Sequence, residues 1–147
     1  MSSDLHPSGA RPREQQRPPL RAVVVRTVLA VLLGAVMGAL GTATHRTVWH
    51  ELPLGVVVAL ALTASTAVLC RAWSGYGTLL AAGVGWVAAV QVLALPGRGG
   101  DVLVPDPAAG LPFGWAGLLW SYGGVLLFAV AAFLPRRWFA EAVPEAD

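Results

Sequence analysis

The sequence has no lysine, a single cysteine and little charge of either sign, with Asp, Glu, Lys and Arg making up 12% of its 147 residues. Each shortage excludes something. A chain that is 56% hydrophobic, with a mean hydropathy of +0.65, cannot cover a soluble surface with so few charges, and lipid is its natural solvent. The lone Cys70 rules out an internal disulfide and reads as a small packing residue near a helix end. The long apolar runs hold no Asp, Glu, His or Lys, which leaves Arg26 as their only ionisable group apart from the weakly acidic Cys70, Tyr76 and Tyr122. There is no HExxH, nucleophile elbow, phosphate loop or cysteine cluster, so neither an enzyme nor a cofactor is expected. The formal charge of +2 and pI near 9.3 do not signal nucleic acid, because the arginines flank apolar runs and no recognition motif accompanies them.

What is present is four apolar stretches, placed by their length and their bounding prolines at about 22–44, 53–70, 77–95 and 113–134. The first organises the rest. It runs free of charge from Thr27 to Thr44, and Arg11, Arg13, Arg17 and Arg21 ahead of it hold residues 1–20, a Pro-rich disordered tail, in the cytoplasm. Arg26 lies about 7–8 Å past Arg21 along a helix, close enough to the headgroups for its stem to snorkel. Gly34 and Gly38 form a GxxxG step that Ala30 and Thr42 extend, a ridge on which another helix can approach closely. Thr44 to Leu52 is a polar loop with Trp49 suited to the interface, and Pro53 suits a first helical turn. On the second span Ala59, Thr63, Thr66 and Cys70 share a face and read as a helix–helix seam; Arg71, Trp73 and Tyr76 then form a tight interfacial turn. Gln91, the one strongly polar residue of the third span, is expected to point into the bundle and clasp a neighbour. Gly117, Ser121 and Gly124 mark a close-approach face on the fourth span, which Pro135 stops and Arg136 and Arg137 anchor.

Topology follows from arginine. Arg11, Arg13, Arg17, Arg21, Arg26, Arg71, Arg136 and Arg137 fall on one side of a four-span layout, and only Arg46 and Arg98 on the other. That asymmetry predicts both termini in the cytoplasm of a bacterial plasma membrane, and short connections make antiparallel neighbours of the helices they join. The expected domains are the tail 1–20, a transmembrane domain 21–138 and a short acidic tail 139–147. The connection Pro96–Pro112 is the longest, and its Asp101–Pro105 segment could run extended.

Four Ala/Val/Gly-rich spans, the Gly85-Trp86 pair in the third, and LPGRGGDVLVPD (Leu95–Asp106) before a Gly-rich fourth resemble a family of small actinobacterial integral membrane proteins of unknown function. The similarity covers about Arg21 to Leu134; it implies a four-helix membrane fold and supplies no catalytic residue. Exclusive use of arginine among the basic residues, with heavy Ala, Val and Gly, also fits a high-GC bacterial source.

Two further chemistries are weighed. His45, His50, Glu51, Asp101 and Asp106 are metal-capable by type, yet His45 and His50 are five apart and lie on different helical faces, so they read as solvated loop residues. Four short spans are also similar in outline to small multidrug-resistance exporters, which couple protons through a glutamate in their first helix; Val28 to Gly41 holds no acid here. Gln91, Ser121 and Thr63 are a thin lining for a passive route. The expectation is an all-α, membrane-spanning four-helix bundle with a disordered N-terminal tail. It is read as a non-catalytic structural or accessory subunit whose partners are the lipid bilayer and other membrane subunits or a second copy. A small transporter without an embedded acid is the alternative.

Overall fold

A computed structural model describes residues 18–95, 113–135 and 138–139. Tail arginines Arg11, Arg13 and Arg17, loop 96–112 with its GGDVLVPD segment, Arg136, Arg137 and residues 140–147 lie outside them. The described chain is an all-α bundle of α1 (Leu20–Thr44), α2 (Leu54–Ser74), α3 (Tyr76–Ala94) and α4 (Trp115–Phe133), each long and apolar enough to cross a membrane. It is a multi-pass membrane protein with large side chains turned outward: Val28, Leu32, Val36 and Leu40 are all exposed along α1. Only Ala30, Gly34, Gly38, Gly41 and Thr42 of that helix are buried. On α1 small groups face the bundle and large ones face outward, the arrangement expected where dispersion contacts replace a hydrophobic drive.

The closest pair is α1 and α3, which run parallel and are not consecutive. Their backbones meet. A Cβ on Gly34 would fall on the Ala82 carbonyl, one on Gly38 would stand 2.8 Å from the Trp86 carbonyl oxygen, and one on Gly85 would strike the Val31 carbonyl. The consecutive pairs α1–α2 and α2–α3 are also in contact, α2 packs on α4, and α3 and α4 touch only lightly. Thr63 donates to the Ala59 carbonyl at 3.0 Å and Thr66 to that of Leu62 at 2.8 Å. The α2 seam hydroxyls are thus satisfied within their own helix and leave a dry surface.

Two boundaries differ from the sequence expectation. Helix α2 continues to Ser74, so Arg71 and Trp73 belong to its last turn, and the reversal into α3 is made by Gly75 alone at φ 79°, ψ −144°. Only glycine adopts that region without strain, which lets a single residue replace a loop. Gln91 is also displaced from its expected place: it is exposed, one turn from the C-terminus of α3, while Val90 beside it is buried. The tight seat of Gly85 on α1 sets the rotation of α3, and that rotation carries Gln91 outward.

Candidate functional site

The polar groups of the bundle gather where α1 ends. Its C-cap is His45, whose backbone N–H bonds the Gly41 carbonyl at 2.8 Å. The imidazole folds back into the bundle and is 1% exposed, so the expectation of a solvated loop histidine is corrected. The cause is the length of α1: it holds helical form through Thr44, which turns position 45 towards α4. Nδ1 lies 2.8 Å from the Thr42 carbonyl oxygen, which can only accept, so Nδ1 carries the proton and Nε2 a lone pair. Nε2 has no hydrogen-bond partner among the described residues, and His45 lines a cavity of about 10 Å³ with Arg46, Val48, Pro53, Phe113 and Ala116. That is the room of a single water. Burial lowers the His45 pKa, nearby Arg46 lowers it further, and the bonds with the Thr42 and Gly41 backbone act in the opposite sense.

From His45 a file of rings descends through the bundle. His45 and Trp120 stack with centroids 6.2 Å apart and planes at 16°; Trp120 and Trp86 are 5.0 Å apart at 60°, and Trp86 and Phe128 6.1 Å apart at 55°. Each tryptophan needs a glycine opposite: a Cβ on Gly41 would strike the Trp120 ring and one on Gly124 the Trp86 indole. Trp120 Nε1 donates to Thr42 Oγ1 at 3.1 Å, and Thr42 Oγ1 donates in turn to the Gly38 carbonyl at 2.7 Å. Trp86 Nε1 has no acceptor among the described residues. The file contains no carboxylate, serine or cysteine; it is a packed stack of rings with one polar thread at its His45 end.

The loop beyond His45 closes in a tight reversal, Trp49 and Leu52 exchanging backbone hydrogen bonds at 3.0 and 2.9 Å. His50 and Glu51 at its tip take φ of 46° and 63°, the mirror-image turn in which Asn and Gly are usual. His50 and Glu51 are exposed while His45 is buried, and the described residues contain no group of three metal-capable side chains. Asp101 and Asp106 lie outside the described residues.

At the opposite end of the bundle sits Arg71, 4% exposed. Its guanidinium carbon lies 3.8 Å from the centre of the Tyr76 ring and 5.8 Å from that of Phe139. Nε and Nη2 have no hydrogen-bond partner among the described residues. The only acidic residue among those described, Glu51, is about 25 Å away along α2.

Of the packing residues expected from sequence, Gly34, Gly38, Thr63, Thr66, Gly117 and Gly124 are buried, Ser121 is half-buried and Gln91 is exposed. The two structures that gather polar atoms, the His45–Trp120 file and the Arg71 end, are not among them. Trp86 and Trp120 are hard to find from sequence because tryptophan is as much at home in the interfacial belts, where Trp49, Trp73, Trp115 and Trp138 are exposed. The available signal was the pairing of each core indole with a glycine on a neighbouring helix. No family model, no curated protein and no solved structure matches the chain.

Proposed function

We propose that the protein is a non-catalytic integral membrane protein of the bacterial plasma membrane, of the small actinobacterial kind, acting as a structural or accessory subunit. Both termini face the cytoplasm, following the arginine asymmetry. The observation that carries the reading is the small-residue groove left after the four helices have packed. The Gly34–Gly38 ridge is occupied by α3, so it is not the surface a partner meets. Between α2 and α4, however, Ala61, Ala64 and Gly123 floor an open apolar groove flanked by Leu60, Leu126 and Leu127. Such a floor admits another membrane helix to close range.

The test is purification from native membranes in mild detergent, alongside an Ala64→Phe variant that fills the groove. A stoichiometric membrane partner, or a second copy, that is present with wild type and absent with Ala64→Phe supports the reading. Recovery of the bare chain from native membranes, or a partner retained by the filled variant, would contradict it.

A further inference from the structure

We propose that Arg71 and the cleft between α3 and α4 form a binding site for one anionic phospholipid, with the phosphate on the guanidinium and an acyl chain along the cleft. The first observation is electrostatic. Arg71 places a guanidinium cation in a nearly enclosed site, with Nε and Nη2 unpartnered among the described residues. The Tyr76 and Phe139 ring faces attract it, and so does the C-terminal end of the α2 dipole, but Nε and Nη2 find no acceptor among the described residues. A buried charge left in that state is costly, and an anion that offers two oxygens side by side, as a phosphodiester does, is the group that completes it. The described chain does not supply one, since Glu51 is at the other end of α2.

The second observation is the cleft. Where α3 and α4 diverge they leave an apolar space of about 540 Å³, walled by Leu80, Gly83, Val84 and Val87 on one side and Val125 and Ala129 on the other. This is room for an alkyl chain, and it opens sideways, where lipid lies. The two features lie near the same end of α3, the cleft being lined from Leu79 and Leu80 onward. Tyr76 precedes Leu80, Gly83 and Val87 by four, seven and eleven residues on α3, so it heads the helical face that walls the cleft. Phe139 follows the end of α4, the other wall. Tyr76, which carries Arg71 on its ring face, is therefore one helical turn from the first residues that line the cleft. A charge one turn beyond the end of an apolar cleft matches the headgroup and acyl chain of a glycerophospholipid, and a basic pocket between helices is a known form of lipid headgroup site. Phe139, the more distant of the two rings, is the cover that the phosphate displaces.

The test uses the full chain in detergent, with thermal unfolding and native mass spectrometry as readouts. The probes are phosphatidylglycerol, phosphatidylcholine with the same acyl chains, and inorganic phosphate. Phosphatidylglycerol should raise the unfolding temperature and remain bound in the mass spectrum, at roughly tenfold or better affinity over phosphatidylcholine, the scale of one or two charge-assisted hydrogen bonds. Arg71→Gln should abolish that preference. Because this change also removes packing on Tyr76, Ala129→Phe, which fills the cleft and leaves Arg71 in place, should weaken binding of both lipids. Phe139→Ala should bind phosphatidylglycerol at least as well as wild type. Equal response to the two lipids, or a phosphatidylglycerol preference that survives Arg71→Gln, overturns the site. An inorganic phosphate effect as large as that of phosphatidylglycerol, unchanged in Ala129→Phe, would show a free-anion site and overturn the lipid.

Discussion

Replacing Gly34 by alanine adds one methyl group at the place where α1 and α3 are closest. Its Cβ would coincide with the Ala82 carbonyl, a backbone atom that cannot rotate away, so the helices must part. Overpacking of this kind costs about 1–3 kcal/mol. The substitution also removes the conformational penalty of glycine in a helix, which returns about 0.5–1 kcal/mol. The net expectation is destabilisation by about 1–2 kcal/mol, or an unfolding temperature lower by roughly 2–8 °C for a chain of this size. Gly77→Ala is the matched control: it is also helical, and a Cβ there meets nothing within 4 Å. It should be neutral or slightly stabilising. Intrinsic tryptophan fluorescence during thermal unfolding in one detergent reads both variants. If Gly34→Ala proves as stable as Gly77→Ala, α1 and α3 do not meet there and the packing argument fails.

Three further outcomes follow from the same structure. Thr42→Val keeps the side-chain volume but leaves the buried Trp120 N–H without its acceptor, which should cost about 1–3 kcal/mol; in a Trp120→Phe background the same change should cost much less, so a double-mutant cycle without coupling would remove that hydrogen bond from the account. His45 is held neutral by burial, so the folded state binds fewer protons than the unfolded one: its stabilisation is complete above pH 6.5 and is lost as pH falls below it, and His45→Phe should flatten the fall in unfolding temperature between pH 7 and 5. Gln91→Leu alters an exposed side chain and should change stability by less than about 0.5 kcal/mol; wild-type liposomes should show no proton flux with an offered cation, and a flux that vanishes in Gln91→Leu would restore the transporter.

How much of this could be read beforehand depends on the kind of force involved. Span number and class follow from apolar length and proline, which is why the four helices begin and end close to Pro53, Pro96 and Pro135. The Gly34–Gly38 spacing is legible as a close-approach face, but its partner is not, because a contact between α1 and α3 is decided by the fit of Gly85 and Ala82 across two connections. Rotation about a helix axis is equally hidden where every side is apolar, and so the outward turn of Gln91 escaped the reading. Arg71 and His45 each sit at a helix end, where one residue more or less of helix moves a side chain from solvent to core. Polar type suggested exposure; the end geometry of α1 and α2 reversed it.

The central claim is a four-span bundle with the Trp49 loop outside and the Gly75 turn in the cytoplasm. It is tested most directly by single cysteines, Trp49→Cys and Ser74→Cys, each in a Cys70→Ala background, exposed to a membrane-impermeant maleimide on intact cells. Both positions are exposed on the bundle, so each is reactive wherever the reagent has access. The account predicts labelling at 49 on intact cells and at 74 only after the membrane is opened. Labelling at 74 on intact cells, or equal labelling of the two, would contradict it.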